Sequence, residues 1–287
     1  MTAGAAVLGW PSRRHRMTSR AYLLLTLIFY AFGALQVLAQ ALMGRRLRTS
    51  LTVIAILLGF AFHTAGLSQR WTEAGHFPAV GLHDAASFVA WTTVLVFLLV
   101  YVRTRVDALS LLVYPVAFAL MLVADLTPAS ERVDPILKSL FLPIHTTLAF
   151  FGYAALFVAC AMGVLYLFQE RELKSRSPRR LYYLIPSLER CDTIGGRSVI
   201  VGFAFLTLAI ITGVLWNRSA RGLYWTWDAK EWSALTAWVI YVLLITARLR
   251  AGWGGRRAAL LGIAGFSAVA FTFVWMSLAP GVSTAAR

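Results

Sequence analysis

Eight long apolar runs dominate the sequence and constrain what the chain can fold into. They lie at roughly 21–43, 51–67, 85–102, 108–124, 145–168, 198–216, 233–248 and 258–279. A helix that crosses the hydrocarbon core of a bilayer needs about 20 mostly apolar residues. Only 14% of the residues are charged, against about 25% in an ordinary soluble domain. These runs therefore predict membrane-spanning helices and argue against a soluble protein.

Backbone chemistry then fixes the fold class. Inside a bilayer every amide and carbonyl must be hydrogen-bonded within the protein, and the alternating pattern of a membrane β-barrel is absent. We expect an all-α, polytopic membrane helix bundle with about eight transmembrane helices. It would form a single integral membrane domain over 1–287, with an N-terminal extension at 1–20, a basic linker at 169–197 and a Trp-rich loop at 216–232.

The distribution of basic residues predicts the orientation of the bundle. The segments 44–50, 103–105, 169–197 and 248–257 carry 16 Lys and Arg residues, and the remaining segments carry 11. Because basic loops face the cytoplasm, 169–197 should be a cytoplasmic linker and both termini should lie on the outer, periplasmic side. Four arginines before the first helix oppose this orientation, although a start at Met17 instead of Met1 would remove three of them.

The formal charge of +15 does not indicate a nucleic-acid partner. A nucleic-acid binder would place its basic residues beside aromatics on a polar face, whereas these residues lie between the apolar runs. The expected partner is the lipid bilayer. Cys160 and Cys191 form no metal-binding or disulfide spacing pattern.

The Trp-rich loop is the most unusual external segment. It holds four tryptophans in 17 residues, together with Tyr224 and Asp228; the tryptophans are Trp216, Trp225, Trp227 and Trp232. Tryptophans at a membrane interface commonly form an aromatic belt, but a belt spreads over many helices. Aromatic faces gathered in one loop are better suited to a large planar apolar ligand, with polar groups left for its edge.

The histidines suggest what that ligand is. His76, His83 and His145 fall on the same predicted side as the Trp-rich loop, and neutral imidazole is a common axial ligand of haem iron. His63 lies within the second run, where an ionisable residue is a candidate for cofactor binding. Each histidine also has an interpretation without a cofactor. The outer histidines would be solvated residues at helix ends, and His63 would be a hydrogen-bonded packing residue. His15 lies in the dispensable N-terminus and is set aside.

The motif W-T-W-D-A-K-E at 225–231 resembles the tryptophan-rich WWD signature of the haem-handling membrane proteins of cytochrome c maturation, of the CcsA/ResC type. The histidine-led stretch at 145–156 and the segment W-…-G-H-F-P at 71–78 are similar to other parts of that family. The likeness covers roughly 60–275, and the tryptophan signature is its specific part.

This resemblance implies a multi-pass protein of the bacterial inner membrane that binds haem b at the outer face and presents it to the CxxCH motif of an apocytochrome c. It implies a subunit of a cytochrome c haem lyase or synthase, with a membrane partner that carries a large external domain (CcsB/ResB-like). His145 would be one axial ligand, and the shelf for the ring would comprise Trp225, Trp227, Asp228, Tyr224 and Trp232. Lys230, Arg218 or Arg221 would meet a propionate.

Two departures from the family pattern leave a second interpretation open. The family's second outer histidine follows the last helix, where this chain reads Gly-Val-Ser at 281–283, and Thr246 occupies the position of another family histidine. His83 could supply the missing outer ligand opposite His145, with Asp84 holding its tautomer. Alternatively, the chain is a non-catalytic, HemX-like accessory or scaffold subunit. A bis-histidine electron carrier is disfavoured, since His63 alone cannot supply two pairs.

Overall fold

The computed structural model describes residues 18–45, 50–79, 81–129, 141–175 and 180–278. Over these residues the chain forms eight α-helices, two short 3-10 helices at Asp107–Leu109 and Arg180–Tyr183, and no strand. The all-α bundle predicted from the apolar runs is confirmed. The helices are α1 (Ser19–Leu42), α2 (Ser50–Ala74), α3 (Gly81–Thr104), α4 (Ser110–Leu126), α5 (Phe141–Lys174), α6 (Leu188–Arg221), α7 (Ala229–Arg250) and α8 (Gly255–Leu278).

Seven of these helices, α1 to α7, are long and apolar enough to cross a bilayer, counted over the described ranges. Several extend past the apolar runs. α5 and α6 have 34 residues each, about 50 Å of helix against a hydrocarbon core of about 30 Å. An apolar run marks only the part of a helix that lies in hydrocarbon. Beyond it the helix continues with polar residues, because water can solvate their side chains there. The ends of the basic linker and of the Trp-rich loop are therefore helical.

Contacts between helix ends define two ends of the bundle. At the Trp-loop end, named for the connection 222–228, Ser19 at the start of α1 donates to the Glu73 carboxylate at the end of α2. At the opposite, linker end, Arg248 near the end of α7 pairs with Asp192 near the start of α6 at 2.7 Å. Successive helices thus alternate in direction, and polar side chains concentrate at the two ends.

Helix α5 forms the centre of the packing. It packs against α6, α8 and α3, while α1 packs against α2 and α4. In the apolar segment of α5, 72% of the residues are buried inside the protein, against 28% for α1 and 22% for α6. The interior of the bundle therefore surrounds α5, whereas α1 and α6 leave most of their apolar segments outside that interior.

Close packing of α1 against α4 gives a test of this arrangement. A Cβ atom on Gly33 would overlap the ring of Tyr114, which is buried and donates its hydroxyl to the Thr52 carbonyl at 2.6 Å. We predict that Gly33→Ala lowers the free energy of unfolding by about 1–3 kcal/mol, because the anchored ring cannot move aside. The measurement is thermal unfolding in detergent.

Gly262→Ala is the matched control. Gly262 lies in α8, and a Cβ there meets no atom within 4 Å. Alanine should be neutral or stabilise that helix by up to about 1 kcal/mol. An equal loss of stability in both variants would contradict the packing of α1 against α4.

Candidate functional site

The Trp-rich loop is built from two helix termini and a short connection. α6 ends at Arg221, and Gly222 caps it in the left-handed conformation with φ of 76°. The chain turns over 222–228, and Asp228 then begins α7 as its N-cap, accepting a hydrogen bond from the Glu231 amide at 3.0 Å. Asp228, which the sequence placed among the ligand-binding residues, has a defined structural role at the helix start.

The Glu231 carboxylate organises the connection. It accepts hydrogen bonds from the backbone amides of Thr226 at 2.7 Å and Trp227 at 2.6 Å, and from the Thr226 hydroxyl at 2.9 Å. The amide group of Asn217, which is 6% exposed on α6, donates to the same carboxylate at 2.5 Å. One carboxylate therefore ties the tryptophan-bearing backbone to both flanking helices. Charge-assisted bonds of this kind are stronger than neutral ones.

The aromatic residues predicted to form a shelf are gathered in an open cluster of rings. Trp227 lies 5.8 Å from Trp225 and 5.2 Å from Trp232 between ring centroids, at interplanar angles of 69° and 41°. Trp227, Trp232 and Tyr224 are 63%, 52% and 59% exposed. The rings do not lie in one plane, but their faces are available to a ligand. Arg218 covers the Tyr224 ring at 5.1 Å.

Trp227 adopts an unfavourable backbone conformation. Its φ is 59°, in the left-handed region that residues with large side chains rarely occupy. The hydrogen bond from its amide to Glu231 holds it there. Strain of this kind costs of order 1–3 kcal/mol and is found preferentially at functional sites.

His145, near the start of α5, has the arrangement of a histidine prepared to bind a metal. Its Nδ1 donates to the Ala209 carbonyl of α6 at 2.7 Å, and its ring stacks on Trp216 with centroids 6.4 Å apart and planes 8° apart. Gly213 makes room for the ring, since a Cβ there would lie 2.9 Å from it. No described residue bonds to Nε2, which keeps its lone pair, as expected when Nδ1 is held by a carbonyl.

Two indole N–H groups at the Trp-loop end have no acceptor among the described residues. They are Nε1 of Trp216, which stacks on His145, and Nε1 of Trp225 in the shelf, and both atoms are buried. Buried donors are nearly always hydrogen-bonded in folded proteins, so orphaned ones require an explanation. A bound ligand with acceptor atoms at its edge would satisfy them.

His83 has a similar arrangement in a different place. It lies near the start of α3, and its Nδ1 donates to the Ala124 carbonyl of α4 at 2.6 Å. Its Nε2 is 3.9 Å from Asp84, whose carboxylate is held by Arg70 at 3.0 Å. The Ala124 carbonyl, rather than Asp84, thus fixes the His83 tautomer. The ring lines a cavity of about 370 Å³ between α1, α2, α3 and α4.

His63 is fully buried within the bundle. One ring nitrogen bonds the Tyr30 hydroxyl at 3.3 Å, and the other bonds the Ser87 hydroxyl at 3.1 Å. Both nitrogens are occupied, an arrangement that suits a packing histidine and leaves no lone pair for a cofactor. His76 bonds the neighbouring Phe77 carbonyl at 3.0 Å.

The structure thus gathers the predicted aromatic residues, Asp228 and the Trp216 partner of His145 around the end of α6. No hydrogen bond, ion pair or ring contact among the described residues joins His83 to this group. No set of three or more His, Cys, Asp or Glu suited to a metal ion occurs in the described part of the chain. The Lys230 side chain and residues 281–283 lie outside the described residues.

The sequence interpretation missed three residues of the site. Asn217, Gly213 and the Ala209 carbonyl all lie on α6 and position Glu231 or His145. Asn217 gave a usable signal, because a buried amide directly after an apolar run has to find a partner. Neither Gly213 nor a backbone carbonyl can be singled out without the pairing of α5 with α6.

The fold and the site together define a multi-pass helical membrane protein with an exposed tryptophan cluster and an available imidazole at one end of the bundle. The chain matches the family model for cytochrome c assembly proteins over residues 18–282. It therefore belongs to the cytochrome c assembly protein family.

Similar proteins include the cytochrome c biogenesis protein CcsA of Parasynechococcus marenigrum, 30% identical over 279 residues that cover 86% of this chain and 92% of that protein. The protein of the same name from a Synechococcus species is 32% identical over 241 residues, covering 75% and 79% of the two chains. That of Prochlorococcus marinus is 31% identical over 258 residues, covering 79% and 81%.

The hydrogen bonds of Glu231 give a test of loop organisation. In Glu231→Gln one acceptor oxygen is replaced by an NH2 group, which cannot accept the hydrogen bonds that the carboxylate receives. Hydrogen bonds to a charged acceptor contribute about 1.5–3 kcal/mol each. We expect hydrogen exchange at the Thr226 and Trp227 amides to accelerate about tenfold or more. Mass spectrometry of a peptide covering 222–232 would measure it.

The control is Glu170→Gln at the linker end, where Glu170 pairs with Lys174 at 2.7 Å. This variant removes a carboxylate far from the loop and should leave its exchange unchanged. Unaltered exchange in Glu231→Gln as well would mean that the carboxylate does not hold the loop.

Proposed function

We propose that this chain takes part in cytochrome c biogenesis by binding haem at the Trp-loop end and presenting it to the CxxCH motif of an apocytochrome c. The observation that carries the proposal is His145: its Nδ1 is committed to the Ala209 carbonyl, its ring stacks on Trp216 at the end of α6, and no described residue bonds its Nε2. The names of the similar proteins, which are cytochrome c biogenesis proteins, support the same process.

Haem is cargo in this proposal, and the residues present suit it. Nε2 of His145 is a suitable axial donor, and the exposed faces of Trp227 and Trp232 can cover an apolar ring. The buried N–H groups of Trp216 and Trp225 need acceptors, which propionate oxygens at the ring edge can provide. Haem contributes the vinyl carbons that bond to the cysteine thiols; the protein contributes position, ligation and exclusion of water.

Each protein group has a separate task in this arrangement. The Ala209 carbonyl orients the imidazole, and Trp216 prevents its ring from rotating. Glu231 holds the connection, so that the tryptophan rings stay at one face of the loop. Arg221, whose guanidinium is 3.8 Å from Asp228 and whose side chain is 42% exposed, is placed to attract a propionate.

Location and partners follow as part of the proposal. The Trp-loop end would face the periplasm from the bacterial inner membrane, with the basic linker in the cytoplasm. The chain would act as a single membrane domain and subunit of a cytochrome c haem lyase or synthase. The connection 222–228 is too short to grip an apocytochrome alone, so a membrane partner with a large external domain would complete the site.

His83 is our candidate for the second axial ligand. Its support is chemical: like His145, it lies near the start of a helix at the Trp-loop end and has Nδ1 held by a carbonyl of the next helix. The cavity that the His83 ring lines is bounded by residues of α1, α2 and α4. Helices α3 and α5, which carry His83 and His145, pack together. Joint ligation therefore requires the two histidines to reach one haem from these two helices.

A HemX-like accessory or scaffold role is the second candidate. It is favoured by one observation, the lack of any histidine after His145 in the sequence. In that role the chain would keep the bundle and the Trp-rich loop without stable haem ligation. Wild-type protein that folds with a full haem supply and yet purifies without haem would support this role over delivery.

The test of the proposed function is haem content. We expect the purified wild type to show a b-type reduced-minus-oxidised spectrum, and His145→Ala to retain less than about a tenth of that haem, because the oriented His145 imidazole is the ligand that holds the iron at the tryptophan cluster. Pyridine haemochrome quantifies it. His76→Ala, which removes a histidine at the same end, should keep its haem.

His145→Gly with added imidazole separates ligation from folding. A free imidazole that restores the spectrum would establish that the variant lost only its ligand. Full haem content in His145→Ala would overturn the proposed axial role.

His83 has its own expected outcome. If it is the second ligand, His83→Ala will convert a six-coordinate, low-spin haem into a five-coordinate, high-spin one, visible in the Soret and visible bands. His145 would still hold the iron, so the haem content should fall less than in His145→Ala. A His83→Ala spectrum identical to that of the wild type would dispose of the His83 assignment.

A further inference from the structure

A group of three arginines lies at the linker end, far from the Trp-rich loop. Arg103 is the last residue but one of α3, and Arg190 and Arg197 lie in the first three turns of α6. All three are exposed and line one open cavity of about 430 Å³ between these two helices. Glu189 contributes the single carboxylate in its lining. We call Arg103, Arg190 and Arg197 the α3–α6 arginine cluster.

The charges of this cluster are not neutralised within the described part of the protein. None of the three guanidinium groups has a carboxylate within ion-pair distance there, and Arg190 donates instead to the Thr104 carbonyl at the end of α3. Two other arginines at the linker end have carboxylate partners. Arg248 is held by Asp192 at 2.7 Å, and Arg256 lies 3.8 Å from Glu170. A cavity with three cations and one carboxylate is complementary to an anion.

The depth of the cluster indicates which anion. Arg103 directly follows the apolar run 85–102, and Arg197 directly precedes the run 198–216. Both therefore lie where hydrocarbon gives way to headgroups, and Arg190 lies about two turns of α6 farther out. Lipid phosphates occupy this layer of a bilayer. Basic pockets between helices at this depth bind anionic lipid headgroups.

We propose that the α3–α6 arginine cluster is a binding site for the headgroup of an anionic phospholipid. The guanidinium groups bind the phosphate through charge-assisted, partly bidentate hydrogen bonds. Arg190 both holds the end of α3 and faces the ligand, so a bound lipid strengthens the junction of α3 with α6. This site does not depend on the proposed role in haem delivery.

The test is retention of phosphatidylglycerol by the full chain. The protein is reconstituted into phosphatidylcholine vesicles with and without phosphatidylglycerol, and affinity is measured with a spin-labelled phosphatidylglycerol. The variant R103Q/R190Q/R197Q should bind it about tenfold more weakly or worse, since each arginine near an anionic lipid contributes roughly fivefold. The control R45Q/R250Q/R257Q removes the same charge from three exposed arginines at the same end and should bind as the wild type does.

Because Arg190 also bonds Thr104, a second variant guards against misfolding. R103Q/R197Q leaves that bond in place and should still weaken binding more than the control does. Equal affinity in the cluster variants and the control would overturn the proposal. Inorganic phosphate that displaces the spin-labelled lipid at millimolar concentration would also overturn it, because the site would then serve a free anion.

Discussion

The hydrocarbon core of the membrane is the constraint on which the rest of the structure depends. It offers no hydrogen bonds, so the backbone must be helical, and a buried polar side chain is stabilised by a partner within the protein. His63 illustrates this, with both ring nitrogens bonded to hydroxyls of neighbouring helices. The same constraint moves chemically available groups to the helix ends. Nε2 of His145, the indole N–H groups and the arginine cluster all lie within a few turns of an interface.

At the Trp-loop end, the side chains proposed to bind haem depend on residues to which we assign no contact with it. Residues of the tryptophan motif itself hold the loop in place. Asp228 starts α7, and the Glu231 carboxylate accepts hydrogen bonds from the Thr226 and Trp227 amides. The His145 ring is likewise defined by α6, through a carbonyl, a stacked Trp216 and the space above Gly213. α6 therefore supplies the framework for both halves of the site.

The sequence predicts the fold well because a helix that crosses the membrane requires a long apolar run, and such runs are visible in the sequence. It predicts the helix ends less well, since Arg70 and Glu73 continue α2 although they are too polar for hydrocarbon. For the site, tryptophan density and the position of His145 are readable from the sequence. The free nitrogen of His145 is not, because it depends on a carbonyl 64 residues away. The pairing proposed for His83 was derived from a motif difference, and only the bundle shows that its ring lies against α4.

Trp227 combines two requirements that oppose each other. Its left-handed backbone conformation is one that glycine adopts without strain, and its indole is among the most exposed large rings at the Trp-loop end. A glycine at this position would relieve the backbone strain of the connection but would remove the indole ring. The chain keeps the bulky ring and uses the Glu231 carboxylate to enforce the turn. In the proposed function the loop gives up some intrinsic stability to present this ring to haem, a stability–activity trade-off concentrated in a single residue.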